Sequence, residues 1–493
     1  MTAQKLCKQP VVAIVGHIDH GKTTLLDYIR KATVAEKEEG GITQRVSAYE
    51  VLHKGAEGEQ RITFIDTPGH EAFQKMRRRA GRSADIAILI VASDDGVKPQ
   101  TIEAHKAIEE AKIPFIVAFT KIDKDTSNIE KAKESVSKHG IYLEGLGGEV
   151  PYIGISSKTG EGIPELLDLI TLVADLNSIS CDANGEAAAV VLESSRDAKI
   201  GINAIVIIRE GTLKIGGFAV AGNAIAPLRI IEDFSGTKVK EICCGKPARI
   251  VGFSEEPKIG STLTVVDSKK EAEARASEFV RELNTPNDSG DVAKEAVIVR
   301  MALKADTAGS LEALEHELAK ISVEGVELRA VSKNVGPISE TDVKNIIGFE
   351  PAFIVGFNVK IENGAKDLAE RNRIQIETKP IIYELADWLL EEATKHKPIT
   401  VADTATGEVE IIKHFSTAGS KHVVGGRVLS GKLSMHDKVI IMRRGIEVGT
   451  GKVINLQQAK KEVANVAEGL EFGAQIDTKA DVVAGDKLLA TKK

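Results

Sequence analysis

One loop constrains this chain more than any other feature of its sequence. The apolar run Val11–Val15 leads directly into Gly16-His-Ile-Asp-His-Gly21-Lys22-Thr23, and a helical pattern then continues to about Lys31. Two glycines separated by four residues and followed by Lys-Thr, between a buried strand and a helix, fit a phosphate-binding loop. Its backbone N–H groups can close around phosphates at the positive end of the helix. The sequence therefore predicts a nucleotide-binding α/β unit.

The side chains of this loop have the chemistry that a nucleotide requires. Lys22 can reach the β- and γ-phosphates, and the Thr23 hydroxyl can bind Mg²⁺. A chance glycine loop is the competing interpretation, and the flanking strand and helix argue against it. The candidate nucleotide-binding residues of the loop are Asp19, His20, Gly21, Lys22, Thr23 and Thr24.

Further apolar runs alternate with helical patterns up to about residue 178. Continuous apolar strands separated by helices indicate a parallel sheet that is covered on both faces. The predicted strands are Arg61–Ile65, Ile86–Ala92, Phe115–Phe119 and Ile153–Ser156, and the predicted helices are Gly69–Arg79, Gln100–Ala111 and Ile163–Leu176.

Asp66-Thr-Pro-Gly69 follows the predicted strand Arg61–Ile65. A carboxylate at Asp66 can hold Mg²⁺ through water, and the N–H of Gly69 can sense a γ-phosphate. The same four residues also form a common turn. Their position downstream of Lys22 favours the nucleotide-binding interpretation.

Thr120-Lys121-Ile-Asp123 follows the predicted strand Phe115–Phe119, and Ser156-Ser157-Lys158 lies at the end of the predicted strand Ile153–Ser156. A carboxylate at Asp123 can accept the N1–H and the exocyclic amine of guanine, whereas adenine offers no such donor pair. Lys121 can pack along the base. The Ser156–Lys158 segment can give a backbone N–H to the guanine oxygen. A capping Asp in a turn is the alternative for Asp123.

The rest of the chain changes character several times. Short strands with glycine turns indicate small β-barrels, and a second alternation of strands and helices indicates another α/β unit. We therefore predict an α/β multidomain fold. Its parts are a nucleotide-binding domain (1–178), a first β-barrel (185–267), a helical linker (268–292), an α/β/α sandwich domain (293–380), a linking helix (381–397) and a C-terminal β-barrel (398–493).

An internal repeat supports two related barrels. Gly211-Thr-Leu213 is echoed by Gly431-Lys-Leu433, and Ala248-Arg-Ile250 is echoed by Ala474-Gln-Ile476. Repeated short motifs in two β-rich segments indicate the same supersecondary unit used twice.

Composition excludes several classes of protein. The longest apolar stretches are far shorter than the ~20 residues that cross a bilayer, and residues 1–10 lack a signal-peptide core. The four cysteines have neither metal-ligand spacing nor the density of a disulfide scaffold. We therefore expect a cytoplasmic protein without a zinc site, in which Cys243 and Cys244 are ordinary strand residues. The net charge of −7 argues against indiscriminate nucleic-acid coating.

The order of these motifs, together with Glu39-Gly-Gly-Ile-Thr43-Gln44 and Asp66-Thr-Pro-Gly-His70, resembles the translational GTPases. The Ala92–Glu103 run, Leu303–Leu314 and Ile354–Val359 look specifically like bacterial translation initiation factor two. The resemblance covers nearly the whole chain. It also suggests a short form that lacks the family's N-terminal extension, with a P-loop GTPase domain at residues 1–178.

The resemblance implies several functional roles. Thr43 would complete the Mg²⁺ shell, and His70 would be the catalytic residue that orients the attacking water. Asp19 would help to hold a monovalent cation or the shape of the loop. The implied activity is a GTPase of translation initiation that is slow without the ribosome. The implied partners are the 30S and 50S subunits, rRNA and initiator formylmethionyl-tRNA, and the protein would be a monomer off the ribosome.

Two departures from the family pattern stand out. Thr120 replaces the usual Asn, which predicts retained but weaker GTP binding. In the last barrel the family's Gly-Tyr-Glu-Cys-Gly is Gly469-Leu-Glu471-Phe472-Gly473, and Gln458 stands where Arg is expected. Phe472 can contact a methionine side chain or fill the barrel core. The tRNA-binding candidates are Glu471, Phe472, Arg443, Arg444 and Lys460.

Two alternatives stay open at this stage. The altered last barrel is compatible with a translational GTPase of another step. A non-catalytic, GTP-responsive adaptor for tRNA or the ribosome is the other alternative, and the presence of His70 argues against it.

Overall fold

The structure of the protein is a computed structural model, which describes residues 6–30, 46–55, 58–68, 71–197, 199–283, 297–397, 405–443, 446–459 and 461–491. The chain forms two compact units, Met1–His396 and Lys397–Lys493. Among the described residues, no helix has the length and apolarity needed to span a membrane. The predicted α/β multidomain fold class is confirmed.

The first part of the chain is a six-stranded sheet with helices on both faces. The strand order is β3-β4-β2-β5-β6-β7, parallel except for β3, which pairs antiparallel with β4. The elements are β1 (Leu6–Cys7), β2 (Val11–Gly16), α1 (Lys22–Arg30), β3 (Ser47–Gly55), β4 (Gly58–Asp66), a 3₁₀ turn (Glu71–Phe73), α2 (Gln74–Ser83), β5 (Ile86–Ala92), α3 (Pro99–Ala111), β6 (Phe115–Thr120), α4 (Ile129–Lys138), β7 (Tyr152–Gly154) and α5 (Ile163–Leu176).

The two faces of this sheet have separate cores. One core includes Leu25 of α1 and Leu166 of α5, and the other includes Ile108 of α3 and Val136 of α4. Strands β2 and β5 are buried along their whole length. Burial on both faces explains why their sequences are continuous apolar runs. It also fixes the end of β2, from which the phosphate-binding loop emerges.

The second part is an antiparallel β-barrel domain. Its main sheet has the order β13-β12-β18-β9-β10-β17-β14-β15, and β11 pairs with β16 beside it. The strands are β8 (Ser180–Cys181), β9 (Ala188–Asp197), β10 (Gly201–Glu210), β11 (Thr212–Lys214), β12 (Phe218–Ala221), β13 (Ala224–Pro227), β14 (Ile231–Glu232), β15 (Lys238–Val239), β16 (Glu241–Cys243), β17 (Pro247–Val251) and β18 (Thr262–Val266).

The expectation that Cys244 is an ordinary strand residue was wrong. Cys181 and Cys244 form a disulfide, with their Cα atoms 6.7 Å apart, while Cys243 is free. The two half-cystines are separated by 63 residues. Such a pairing leaves no local spacing signal, because it depends on which strands the barrel brings together.

The third part is a four-stranded parallel sheet of order β20-β19-β21-β22. Side chains of β19 and β21 alternate between two cores: one lies under α7 and α10, and the other lies under α8 and α9. The elements are α6 (Lys269–Leu283), β19 (Val297–Ala305), α7 (Ala308–Lys320), β20 (Val326–Val335), α8 (Glu340–Lys344), β21 (Ala352–Phe357), α9 (Asn363–Arg371), β22 (Gln375–Lys379) and α10 (Ile382–Lys395).

A shared core joins these three parts. Phe73 and Met76, around the start of α2, are buried in the same cluster as Leu192 of β9 and Leu314 of α7. Arg79 of α2 donates two hydrogen bonds to Glu312 of α7, at 2.6 and 2.8 Å. The helix that follows Asp66 is thus held by two other parts of the fold.

A buried carboxyl group lies at this junction. Glu193 of β9 accepts hydrogen bonds from the backbone N–H groups of Gly309, at 3.1 Å, and Ser194, at 3.0 Å. Burial raises the pKa of Glu193 to about 7. A side chain on Gly309 would have to displace buried groups, because a Cβ there would lie 2.3 Å from Cε of Met76 and 2.8 Å from Oε2 of Glu193.

The raised pKa of Glu193 predicts a pH dependence of stability. The folded protein binds more protons than the unfolded chain between the ordinary pKa of 4.5 and about 7. Stability from this group is therefore fully present below pH 4.5 and is lost as the pH rises through 7. We expect Glu193→Gln to remove about 3 kcal/mol of pH dependence from the free energy of unfolding. The difference in melting temperature between pH 5 and pH 8 should shrink accordingly.

The matched control for this experiment is Glu278→Gln, since Glu278 is an exposed residue of α6. It should leave the pH dependence as in the original protein. An unchanged pH dependence in Glu193→Gln would show that this carboxyl group does not titrate in the predicted range.

The C-terminal unit is a closed antiparallel barrel. The strands β23, β30, β25, β26, β29 and β24 pair in that order, and β24 pairs back with β23 to complete the ring. The strands are β23 (Ala405–Ala418), β24 (Lys421–Ser434), β25 (Lys438–Arg443), β26 (Ile446–Gln458), β27 (Lys461–Glu462), β28 (Asn465–Ala467), β29 (Glu471–Thr478) and β30 (Lys487–Thr491).

The internal repeat has a structural counterpart. Ile250 and Ile476, the third residues of the two Ala-X-Ile motifs, are both buried in the cores of their barrels. Leu213 and Leu433, the last residues of the two Gly-X-Leu motifs, are likewise buried in their barrels. The repeated residues are thus the ones that fill the two barrel interiors.

Candidate nucleotide site

The phosphate-binding loop has the strained backbone that its glycines permit. Gly16 has a φ of 150°, and a Cβ there would lie 2.6 Å from the carbonyl oxygen of Ile90. Asp19 adopts a left-handed φ of 61°. Helix α1 begins at Lys22, so the loop ends at a helix N-terminus. Successive N–H groups in such a conformation form a concave anion-binding surface.

Lys22 lies buried inside this loop. Its ammonium group donates hydrogen bonds to the carbonyl oxygens of Gly16, at 3.0 Å, and His17, at 2.6 Å. Burial, aided by the positive charge of Arg77, lowers the pKa of Lys22 to about 8, while Asp66 and Asp19 oppose the shift. An ammonium group held among carbonyl dipoles is well placed to exchange them for phosphate oxygens.

Asp66 ends strand β4 next to the loop. The parallel pairing of β2 and β4 sets Asp66 opposite Ile14, and the Thr67 hydroxyl donates to the carbonyl oxygen of Ile14 at 3.0 Å. Asp66 is buried. Thr23 and Thr24 follow Lys22 in the first turn of α1. The candidates Thr43, Gly69, His70, Arg444 and Lys460 lie outside the described residues.

His20 connects the loop to the neighbouring strand. Its Nδ1 accepts a hydrogen bond from the N–H of Ala92 at 3.3 Å, and its Nε2 lies 3.5 Å from a carboxylate oxygen of Asp95. Burial lowers the pKa of His20 to about 4, so the ring is neutral at physiological pH. His20 was predicted as a nucleotide-site residue. Its contacts with Ala92 and Asp95 also hold the phosphate-binding loop against the end of β5.

The candidate base-binding segments are tied to the loop and to each other. The Thr120 hydroxyl donates to the carbonyl oxygen of His20 at 2.6 Å. The Ser156 hydroxyl donates to the Asp123 carboxylate at 2.7 Å, and this bond lowers the pKa of Asp123. Asp123 is exposed and ionised. Thr120 thus links the base-binding segment after β6 to the phosphate-binding loop.

The remaining base-site candidates lie beside these contacts. Lys121 has a left-handed φ of 61°, and Ser157 follows the buried Ser156. The N–H of Lys158 donates to the Ser156 hydroxyl oxygen at 3.3 Å. The structure therefore brings Lys121, Asp123 and the 156–158 segment to the same edge of the sheet as the phosphate-binding loop.

Sequence reasoning missed two residues of this site. Arg77 is fully buried; it donates to the carbonyl oxygen of Pro68 at 3.0 Å and pairs with Glu103 at 2.6 Å. Gln100 accepts a hydrogen bond from the N–H of Ile18 at 3.0 Å. Arg77 is the first of three consecutive arginines in α2, and no local pattern indicates which of them faces inward.

Three known protein families match successive parts of the chain. Residues 8–175 match the family described as the elongation factor Tu GTP binding domain. Residues 186–266 match elongation factor G domain 2, and residues 269–389 match translation-initiation factor 2.

Full-length relatives extend this result. Translation initiation factor IF-2 of Thermotoga sp. (strain RQ2) is 39% identical over 98% of this chain and 71% of that protein. The chain belongs to the translation initiation factor IF-2 family. IF-2 of Kosmotoga olearia is 38% identical over 98% of this chain and 70% of its own length. This member of the IF-2 family is a GTPase of translation initiation and binds a guanine nucleotide.

A solved structure of related description also aligns. GDP-bound aIF5B from Aeropyrum pernix has 25% sequence identity over 98% of this chain and 92% of that chain, with a TM-score of 0.49.

The lowered pKa of Lys22 predicts that nucleotide binding takes up a proton at high pH. The free protein loses the Lys22 proton above about pH 8, whereas bound phosphates favour the ammonium form. GDP affinity should therefore fall as the pH rises above 8. Calorimetry in buffers of different ionisation enthalpy should show uptake approaching one proton at pH 9 and little at pH 6.5.

Lys22→Arg tests the assignment, because a guanidinium group stays protonated throughout this range. Its residual GDP binding should lack the proton uptake. Equal uptake at pH 9 in this variant and in the original protein would trace the proton to another group.

The Thr120–His20 bond predicts a contribution to nucleotide affinity. Thr120→Val keeps the shape of the side chain but leaves the His20 carbonyl oxygen without its donor. We expect GDP affinity to fall about tenfold, since a buried hydrogen bond contributes about 1 kcal/mol or more. A fluorescent GDP analogue gives the dissociation constant. Thr120→Ser is the control and should bind like the original protein; an equal loss in both variants would contradict the role of this bond.

Proposed function

We propose that this protein is a ribosome-dependent GTPase that promotes the binding of initiator formylmethionyl-tRNA to the 30S subunit and the joining of the 50S subunit. Hydrolysis of GTP would drive its release. The proposal is carried by two observations: the linked phosphate-binding and base-binding segments of the first unit, and an apolar pocket in the C-terminal barrel. It would act in the cytoplasm as a monomer when it is off the ribosome.

The nucleotide site fits Mg²⁺. The Thr23 hydroxyl and the buried Asp66 carboxylate are oxygen donors of the type that this ion prefers, and Thr43 would complete the set. Bound Mg²⁺ would neutralise charge on the β- and γ-phosphates. Asp19, in its left-handed conformation, would hold the loop shape or a monovalent cation.

Different residues of the protein then have different roles in GTP binding and hydrolysis. Loop N–H groups and Lys22 bind the phosphates, and Asp123 selects guanine by accepting its two donors. His70 would orient the attacking water when the ribosome positions it. Arg77 holds the segment that leads to His70 through its bond to Pro68. GTP would order the segments around Thr43 and Gly69, and hydrolysis would release them.

The C-terminal barrel offers a site for the acyl end of the tRNA. A cavity of about 390 Å³ opens on its surface. Phe415 and Phe472 line it, and a Cβ on Gly426 would lie only 2.9 Å from the Phe472 ring. An apolar cavity of this kind suits a methionine side chain. The other lining residues are Ile412, Lys413, Gly425, Gln457, Ala459, Glu471 and Gly473.

The structure separates the tRNA-binding candidates. Phe472 is buried in the barrel core and also lines the cavity, so its core position is compatible with the proposed contact with a methionine side chain. Glu471 lies at the cavity and pairs with Arg427 at 3.2 Å. Arg443 instead binds the fully buried Asp486 with two hydrogen bonds, at 2.8 and 2.9 Å. We therefore leave Arg443 out of the proposed tRNA surface.

Binding of acylated tRNAs to the full chain tests the proposal. We expect a preference for formylmethionyl initiator tRNA over methionyl initiator tRNA and over elongator aminoacyl-tRNAs. Phe415→Ala should lower this affinity about tenfold, because a well-packed aromatic anchor commonly contributes that much or more. Filter binding or fluorescence anisotropy gives the constants.

Phe234→Ala is a matched control, since Phe234 is an exposed phenylalanine of the first barrel. Absence of any preference among the tRNAs would favour a translational GTPase of another step. A non-catalytic adaptor would show no ribosome-stimulated hydrolysis, and in that case His70→Ala would change nothing.

A further inference from the structure

Three side chains of the β23–β24 hairpin meet near its tip. Nε2 of His414 lies 3.4 Å from Nδ1 of His422. The Thr417 hydroxyl oxygen lies 3.0 Å from the first of these nitrogens and 3.2 Å from the second. None of the three lines the cavity of the proposed tRNA site or belongs to the nucleotide site.

A break in the strand brings these residues together. Residues three apart on a regular strand point to opposite faces, so His414 and Thr417 should not meet. The pairing register shifts between His414 and Ser416, which is a β-bulge in β23. A bulge re-aims the side chains that follow it. It places Thr417 on the same face as His414, opposite its cross-strand partner His422.

The triangle of donor atoms has the dimensions of a metal site. Imidazole nitrogens bind Zn²⁺ at about 2.0–2.1 Å, and two ligands of a tetrahedral ion then stand about 3.3–3.4 Å apart. The separation of the two histidine nitrogens falls at this value, and the two distances to the hydroxyl oxygen are slightly shorter.

We propose that His414, His422 and Thr417 bind one divalent transition-metal ion of the Zn²⁺, Ni²⁺ or Cu²⁺ class. Neutral imidazole suits these ions and discriminates against Mg²⁺ and Ca²⁺. His422 is buried and supplies a fixed ligand, whereas His414 is half-buried and Thr417 is exposed. Water can therefore complete the coordination shell from the open side.

The donor set also fixes what kind of site this is. Among the described residues, no group of three or more His, Cys, Asp or Glu side chains is placed to hold a metal ion. Here two imidazoles and a neutral hydroxyl act together, so the site is weaker than a four-ligand structural zinc site. The competing state is a hydrogen-bonded His–Thr–His triad that binds no metal.

The experiment uses the full, untagged chain with GDP and excess Mg²⁺, which occupy the nucleotide site. Zn²⁺ binding is measured by competition with a chromophoric chelator, and the EPR spectrum of added Cu²⁺ reports the number of coordinated nitrogens. We expect one Zn²⁺ per chain and two imidazole nitrogens on Cu²⁺. His414→Gln should weaken Zn²⁺ binding about tenfold or more, and Thr417→Val should weaken it less.

His139→Gln is the matched control, because His139 is an exposed histidine of the first unit whose Nδ1 bonds the carbonyl oxygen of Ser135 on its own helix. His414 is not fully buried, so its replacement should leave the fold intact by circular dichroism. Zn²⁺ binding by His414→Gln equal to that of His139→Gln would overturn the proposal. A Cu²⁺ spectrum with fewer than two nitrogens would overturn it as well.

Discussion

The first unit depends on the packing of helix α2. Its preceding turn and first residues bury Phe73 and Met76 in a core shared with β9 and α7, and Arg77 binds the carbonyl oxygen of Pro68 just after Asp66. One helix thus takes part in the nucleotide site and in the contact between three parts of the fold. A tightly packed core transmits displacement because it has no space to absorb it. The Asp66 segment and the buried Glu193–Gly309 contact are therefore joined through one continuous packed core.

The elements predicted from sequence are those whose burial leaves a local pattern. Strands β2, β5 and β6 are apolar along their length because both faces of the sheet are covered. Edge strand β3 was not predicted, since it mixes buried, half-buried and exposed residues and forms no apolar run. The short, polar helix α4 was missed for a similar reason.

The site residues also divide into those that a local sequence pattern indicates and those that it does not. The loop residues and Asp123 were predictable, because glycine spacing and strand ends fix them locally. Arg77 and Gln100 were not, because their roles depend on partners 26 and 82 residues away in the chain, Glu103 and Ile18. The disulfide between Cys181 and Cys244 belongs to this second group, as does the meeting of His414 with Thr417 across a bulge.

The closed ring of the C-terminal barrel has a consequence for how this protein can diverge. Every strand of the ring has two hydrogen-bonded neighbours, so backbone pairing rather than any one surface side chain sets its shape. Substitutions of exposed residues around the cavity, such as Phe415, can then change its surface without unfolding the barrel. Surface residues of this barrel can therefore diverge while the nucleotide-binding residues of the other unit stay unchanged.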